Sequence, residues 1–272
     1  MTTVHLHLVS DSTGETVSHV AKASLVQFDD VTVEEHMWSM VRSEREAKEI
    51  MKSIAEKPGF VLYTIVDSPI QVILETGCHE LGVPCVSVLQ PVVNKLRTHL
   101  GQEIHARPGG QHVLDDDYFE RIAAMDYVLS HDDGQSAQTL ADADVILLGV
   151  SRTSKTPTCI YLGNRGVKTA NIPLVPGSTL PPELLEVSGP MIIGLTKDPR
   201  RLVQIRRQRL KMLNQNEETD YVDFEMVTKE INDARRLFTQ HDWPIINVSR
   251  KSIEETSATI LQMLAKKREA VS

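Results

Sequence analysis

The sequence predicts an α/β protein with parallel sheets, because short β-branched runs alternate with helical patterns along the chain. The first pair is VHLHLV (4–9), followed by a helix that starts near Thr13. Such alternation is typical of right-handed strand–helix–strand units, whose helices cover both faces of a parallel sheet. The alternation restarts at DVILLGV (144–150), after a small, polar segment. We therefore expect an N-terminal α/β domain at 1–138 and a smaller α/β domain at 139–272.

The remaining predicted strands are short apolar or β-branched runs: VTVEEHM (31–37), FVLYTIV (60–66), VPCVSVL (83–89), KTANIPLV (168–175), MIIGLT (191–196) and PIINVS (244–249). Two sequence signals for the start of a helix follow predicted strands. Ser43 with Glu46, and Ser252 with Glu255, have the spacing of capping boxes. DYFERIAAMDYVLS (117–130) predicts a further helix, with its apolar face formed by Tyr118, Ile122, Met125 and Leu129.

Composition and charge are those of a soluble globular protein. Of the 272 residues, 41% are hydrophobic and 24% are charged. No apolar run approaches the roughly 20 residues of a membrane span, and the N-terminus lacks the features of a signal peptide. Three cysteines form no paired framework, so we expect a cytoplasmic protein. A net charge of −8 argues against non-specific binding to nucleic acid.

The segment LLGVSRTSKTPTCIYL (147–162) is the strongest functional pattern. It nearly matches G-x-x-x-x-G-K-[ST], with Gly149, Lys155 and Thr156 in place but Ser154 where the second glycine belongs. In such a loop, backbone N–H groups and the lysine bind phosphate, and the hydroxyl reaches a metal ion. We predict a phosphate-binding loop in a P-loop-kinase-like domain. Its residues are Gly149, Val150, Ser151, Arg152, Thr153, Ser154, Lys155 and Thr156.

The structural alternative for this loop is a strand–turn–helix corner with a solvated lysine. Glycine adopts positive φ without steric cost, and Ser154 makes that conformation less favourable. We therefore expect a loop path that differs from the standard one.

Three other segments allow both a structural and a functional interpretation. SDSTGET (10–16) forms either a helix start capped by Ser12 and Glu15 or a second anion site, and composition favours the former. HDDG (131–134) is either an acidic turn or a carboxylate pair that acts as a base or holds a metal. The arginines of DPRRLVQIRRQRLK (198–211) form either a solvated face or a phosphate grip.

Four segments, in this order and over nearly the whole chain, resemble the bacterial pyruvate, phosphate dikinase regulatory protein family. They are SDSTGET (10–16), RPGGQHVLDDDYFERIAAMDYVLSHDDG (107–134), GVSRTSKTPTCIYLGNRGVKTANIPLVPG (149–177) and WPIINVSRKSIEET (243–256). A sister group regulates phosphoenolpyruvate synthase, and its loop typically reads SRSGKTP. RTSKTP and the following NRG point to the dikinase branch. Cys159 and Gly110 depart from the family pattern.

The resemblance implies a bifunctional serine/threonine kinase and phosphorylase. It implies that ADP is the phosphoryl donor to a threonine of pyruvate, phosphate dikinase, which inactivates that enzyme. In the reverse direction, inorganic phosphate removes the phosphoryl group and pyrophosphate is released. We expect a homodimer, because the target is a large oligomer and such regulators often pair.

The resemblance also implies site residues. ADP corresponds to the 149–156 loop, where Lys155 and Arg152 would stabilise charge on the transferred phosphoryl group and Thr156 would hold Mg²⁺. Asp132 or Asp133 would take the proton of the target threonine, and the sequence does not choose between them.

Three alternatives remain open at this level. The same chemistry could act on phosphoenolpyruvate synthase. A small-molecule kinase would share the loop and the arginines but would use ATP. A nucleotide-sensing module would bind without turnover. Donor preference separates the first from the second, and the absence of turnover identifies the third.

Overall fold

The computed structural model describes residues 3–110, 116–214 and 219–271, and it confirms the predicted α/β class. Two four-stranded sheets, with all their strands parallel, lie in two compact units, Met1–Val113 and Leu114–Ser272. The division lies ahead of the boundary expected at 138/139, and the second unit is the longer one rather than the smaller. The reason is that helix Asp116–Ser130 packs on the elements that follow it.

The first unit alternates strands and helices as predicted. Its elements are β1 (Thr3–Ser10), α1 (Glu15–Leu25), β2 (Thr32–Trp38), α2 (Glu44–Glu56), β3 (Gly59–Thr64), α3 (Ser68–Glu80), β4 (Cys85–Ser87) and α4 (Gln90–Leu100). The strand order is β2-β1-β3-β4. The predicted capping box begins α2, because Ser43 Oγ accepts from Glu46 N while the Glu46 carboxylate accepts from Ser43 N.

The sheet of the first unit has a core on each face. Leu6 and Leu8 of β1 pack on one face with Val17 of α1. On the other face, Val61 and Tyr63 of β3 belong to the core that α2 and α3 complete. This two-sided burial is what the period-two alternation of a parallel strand produces when helices cover both faces.

The second unit repeats the arrangement. Its elements are α5 (Asp116–Ser130), β5 (Val145–Gly149), α6 (Lys155–Gly163), β6 (Thr169–Pro173), α7 (Pro182–Glu186), β7 (Met191–Thr196), α8 (Pro199–Met212), α9 (Phe224–Gln240), β8 (Ile245–Asn247) and α10 (Ile253–Val271), with 3-10 turns at Asp132–Gly134, Ala137–Asp142 and Asp220–Val222. The strand order β6-β5-β7-β8 matches that of the first sheet. All of β5 is buried.

The strand order places the first loop of each unit at a recognised ligand position. β2 and β3 lie on opposite sides of β1, and β6 and β7 lie on opposite sides of β5. The order in which successive strands are added therefore reverses at β1 and at β5. In open parallel sheets, ligands bind at this reversal, outside the carboxyl ends of the strands. The 10–16 and 149–156 segments both follow such a strand end.

Helix α5 buries a different face from the one predicted. Ala124 and Val128 are buried, whereas Ile122 and Leu129 are 44% and 65% exposed. The helix approaches Gly163 of α6 so closely that a Cβ added there would lie 3.0 Å from Val128 Cγ2. Small residues at this contact therefore decide which face is buried. No helix in the described ranges is long and apolar enough to span a bilayer.

Candidate functional site

The 149–156 loop leaves the central strand β5 and enters α6. It begins at a residue that must be glycine, since a Cβ on Gly149 would lie 2.7 Å from both Leu195 O and Thr153 Oγ1. Thr153 is fully buried and its hydroxyl donates to Val150 O, 2.9 Å away. The loop is therefore closed on itself and packed against β7.

The middle of the loop takes a left-handed backbone without glycine. Arg152 has φ 72° and Ser154 has φ 66°. Ser154 thus occupies the region that a glycine would favour, and non-glycine residues pay roughly 1–2 kcal/mol there. The backbone at Ser154 therefore keeps a positive φ and carries this local strain, so the loop does not avoid the conformation that a glycine would adopt there.

Lys155 points inward and is almost completely buried, with 6% of its surface exposed. Its Nζ donates to Gly149 O at 2.8 Å and to Val150 O at 3.1 Å. Burial lowers the pKa of Lys155 to about 8, although the nearby Asp133 carboxylate opposes this shift. The solvated-lysine alternative is therefore wrong, because the ammonium is held behind the loop by two carbonyl oxygens.

A polar cluster lies at the start of α6. Thr156 Oγ1 donates to Asp132 Oδ1 at 3.0 Å, and Asn171 Nδ2 of β6 donates to the same carboxylate oxygen and to Thr156 Oγ1. Asn171 Oδ1 is buried without a hydrogen-bond partner. The cluster therefore combines a carboxylate, a hydroxyl and an orphaned amide oxygen within the second unit.

The two aspartates of HDDG differ in their surroundings. Asp132 is partly buried and fixed by Thr156 and Asn171. Asp133 is exposed, has φ 51°, and has a contact of 3.4 Å between its Oδ1 and Asn171 Nδ2. The structure thus separates an anchored carboxylate from an accessible one, a distinction that the sequence does not make.

His131 belongs to the scaffold of the site. It is buried and its ring stacks on Tyr127, with the centroids 3.7 Å apart. Its Nδ1 lies 2.8 Å from Tyr127 O, a group that only accepts, so this nitrogen carries the proton. The carbonyl of His131 accepts from Asn171 N at 2.9 Å. These contacts fix the turn that carries Asp132.

Arg206 of α8 binds both the backbone of the 149–156 loop and the carboxylate of Glu230. Its guanidinium forms two hydrogen bonds of 2.8 and 3.0 Å with Glu230 and donates to Ser151 O at 3.1 Å. Its Cζ also lies 4.4 Å from the centre of the Tyr221 ring. The fork of Arg206 is thus bound to a carboxylate and not directed at a phosphate site. The exposed basic residues of the same helix include Arg200, Arg201, Arg207 and Arg209.

Two further features flank the loop. Lys197, at the end of β7, is buried, and its Nζ donates to Arg152 O at 3.3 Å. Burial lowers its pKa, and the neighbouring Arg201 adds to the effect.

A cavity of about 420 Å³ lies between Val150 and the 173–181 segment. Concave space of this size next to a loop is typical of a small-ligand site.

The 10–16 loop of the first unit is not the capped helix that composition favours. The residue before α1 is Gly14, with φ 88°, and it provides no side-chain cap. Asp11 is buried, its Oδ2 accepts from Val66 N at 2.7 Å, and burial raises its pKa. With Arg107, the loop lines a polar cavity of about 310 Å³.

Sequence reasoning selected Asp132, Lys155 and Thr156, and the structure brings them together in the second unit. The side chain of Arg152 is exposed, and its backbone carbonyl is what contacts Lys197. Asn171 and Glu230 were missed. The feature that could have identified Asn171 is its amide side chain in the buried strand β6. A polar side chain in such a position points to a functional or structural role, because buried positions are usually apolar.

The fold and this site define an α/β protein with a lysine-bearing loop at the carboxyl end of a parallel sheet, an arrangement typical of phosphotransferases. The chain belongs to the Kinase/pyrophosphorylase family, whose model matches residues 6–261.

Relatives cover almost the whole chain. A protein of Paramagnetospirillum magneticum named "Putative pyruvate, phosphate dikinase regulatory protein" is 52% identical over 263 residues, which cover 97% of this chain and 85% of that protein. A protein of Rhizorhabdus wittichii with the same name is 52% identical over 97% of this chain and 96% of its own length. A third, from Caulobacter vibrioides, is 51% identical over 96% of this chain and 83% of its own length. The resemblance to this family is thereby confirmed, and the chain is a phosphotransferase-type enzyme.

Proposed function

We propose that the protein is an ADP-dependent threonine kinase and a phosphate-dependent phosphorylase that acts on pyruvate, phosphate dikinase. The family supports phosphoryl transfer, and the names of the relatives support this target. The observation that carries the proposal is the buried ammonium of Lys155, which lies behind the loop near the carboxylates of Asp132 and Asp133.

Binding of ADP would supply hydrogen-bond acceptors for the backbone N–H groups and the lysine of the loop. The α/β region of the diphosphate would lie on the backbone N–H groups of 150–156 at the N-terminus of α6, where the helix dipole favours anions. Lys155 would exchange its carbonyl partners for phosphate oxygens, which restores full compensation of its charge. Arg152 is exposed beside the loop and would stabilise charge on the transferred group.

The residues present fit Mg²⁺. Thr156, Asp132 and the orphaned Asn171 Oδ1 provide oxygen donors, which are the ligands this ion prefers. When bound, Mg²⁺ would neutralise charge on the phosphate oxygens. Asp132 and Asn171 would hold the Thr156 hydroxyl in place for this role.

We assign the proton transfer to Asp133, because its carboxylate is exposed while that of Asp132 is committed to the cluster. In the kinase direction, the threonine oxygen attacks the β-phosphorus of ADP, the bond to the α/β bridging oxygen breaks, AMP leaves, and Asp133 takes the hydroxyl proton. In the reverse direction, an oxygen of inorganic phosphate attacks the phosphorus of the phosphothreonine, the bond between that phosphorus and the threonine oxygen breaks, and pyrophosphate leaves. The proton that the attacking phosphate gives up passes to the threonine oxygen.

The test uses purified dikinase that is phosphorylated on its catalytic histidine, with ADP labelled in the β position. The proposal expects label on a dikinase threonine from ADP and none from γ-labelled ATP, with no transfer by Lys155→Met. Label on phosphoenolpyruvate synthase alone would move the protein to that target. ATP-dependent labelling of a small molecule, or nucleotide binding without turnover, would contradict the proposal and support the corresponding alternative.

A further inference from the structure

Two histidines and a glutamate meet on one face of the first sheet. The parallel register of β1 and β2 sets His5 opposite Glu34 and His7 opposite His36. Because alternate residues of a strand share a face, all four side chains project on the same side. β2 is an edge strand, so these pairs lie at the margin of the sheet.

The distance between the two imidazole nitrogens matches one edge of a metal-coordination tetrahedron, and each oxygen of Glu34 faces one of these nitrogens. His36 Nε2 lies 3.2 Å from His5 Nδ1 and 3.5 Å from Glu34 Oε1, and His5 Nδ1 lies 3.6 Å from Glu34 Oε2. Four ligands at about 2.05 Å from a zinc ion lie roughly 3.3 Å from one another. One ligand atom from each residue can be chosen so that all three lie within 4.8 Å of one another.

His7 supports the cluster but is not one of its ligands. Its Nε2 donates to Lys57 O at 2.9 Å, and its Nδ1 accepts from Trp38 Nε1 at 3.3 Å. Both ring nitrogens are therefore occupied. The ring stacks on that of His36, with centroids 4.7 Å apart, so His7 fixes the plane of a neighbouring imidazole.

Lys57 forms an ion pair with one carboxylate oxygen of Glu34, and the other oxygen remains available as a metal ligand. Its Nζ lies 2.7 Å from Glu34 Oε1, while Oε2 faces His5. Glu34 is exposed, so its carboxylate has room to rotate, and the site requires a rotation that brings Oε2, which faces His5, within reach of His36 as well. His5 and His36 are partly buried and their positions are fixed by the strands that carry them.

We propose that His5 Nδ1, His36 Nε2 and the Glu34 carboxylate form a zinc site with water as the fourth ligand. Imidazole nitrogens favour Zn²⁺ over Mg²⁺ or Ca²⁺, which prefer oxygen ligands. The site lies near the start of β1, about 16 Å along the strand from the 10–16 loop. It clamps the edge strand β2 to β1 and is independent of the phosphoryl-transfer proposal.

The test is calorimetric titration of the chelator-treated full chain with ZnCl₂, and of its Glu34→Gln, His36→Ala and His19→Ala variants. His19 is an exposed histidine of α1, so His19→Ala controls for adventitious binding by a surface imidazole. Glu34→Gln keeps the shape of an exposed side chain, so this variant retains the fold. Titration with Co²⁺ reports geometry, because tetrahedral Co²⁺ absorbs visible light far more strongly than octahedral Co²⁺.

We expect one Zn²⁺ per chain, tetrahedral Co²⁺ absorption, and an affinity reduced at least about tenfold in Glu34→Gln and His36→Ala but unchanged in His19→Ala. Absence of stoichiometric binding in the wild type would overturn the assignment. So would equal affinity in Glu34→Gln and the wild type, an octahedral Co²⁺ spectrum, or a loss in His19→Ala that matches the loss in His36→Ala.

Discussion

Thr156 donates a hydrogen bond of 3.0 Å to Asp132, across 24 residues of sequence. The contact joins the first turn of α6 to the turn that follows α5. It follows that the lysine-bearing loop and the HDDG turn, two segments that the sequence marks separately, form one site within the second unit.

Replacement of Lys155 by Met should abolish transfer in both directions. The loss should be at least about a hundredfold in turnover, the size of effect seen when a positioned charge donor is removed. Lys168→Met is the matched control, because Lys168 precedes β6 in the same unit and is only partly buried. ADP-dependent labelling and pyrophosphate release would be measured for both variants, and normal activity of Lys155→Met would remove this residue from the mechanism.

The two aspartates should give different kinetic defects. Asp133→Asn should remove transfer but leave ADP affinity intact, because we assign the proton transfer to this accessible carboxylate. Asp132→Asn should raise the Mg²⁺ concentration needed for half-maximal rate, because it removes the negative charge beside Thr156 and replaces one carboxylate oxygen by an amide nitrogen. Rates and ADP binding would be measured over a Mg²⁺ series. Near-normal turnover in both variants would place the base elsewhere.

Stability should depend on pH through Lys155. Burial lowers its pKa from 10.5 to about 8, so between these values the unfolded chain binds more protons than the folded one. The free energy of unfolding should therefore rise with pH in this window. Relative to Lys155→Met, the wild type should gain on the order of 1–2 kcal/mol from pH 8 to pH 10. Urea titrations at several pH values measure this difference, and a constant difference would contradict the assigned burial effect.

Arg206→Ala should destabilise the second unit by about 3–5 kcal/mol, because it leaves the Glu230 carboxylate without its buried partner. It should also weaken ADP binding, since Arg206 holds the carbonyl of Ser151. Arg207→Ala, on the exposed side of the same helix, should change stability by at most about 0.5 kcal/mol. Urea unfolding would compare the two, and equal effects would mean that the ion pair contributes little.

Much of the fold was readable from the sequence because its signals are local. MIIGLT (191–196) forms the whole of β7, and Ser43 and Glu46 begin α2 as a capping box. The buried face of α5 was not readable, because the close approach at Gly163 selects Ala124 and Val128 over larger apolar residues. A period of 3.6 residues identifies a helix, but its partner decides which stripe is covered.

The site was only partly readable for a similar reason. The spacing of Gly149 and Lys155 marks the loop within one short stretch. The contacts of Asn171 and Arg206 join distant elements, and no pattern of nearby residues records them. The histidine–glutamate cluster was also missed, since His5 and Glu34 meet only through the register of two parallel strands.

Each sheet takes its four strands from one continuous stretch of the chain, the first from residues 3–87 and the second from 145–247. During synthesis, therefore, every strand of the first sheet has left the ribosome before the first strand of the second is translated. The first unit can complete its hydrogen-bonded sheet while the second unit is still being made. A nascent chain that ends just before residue 145 would thus carry the complete first sheet while the 149–156 loop has not yet been made.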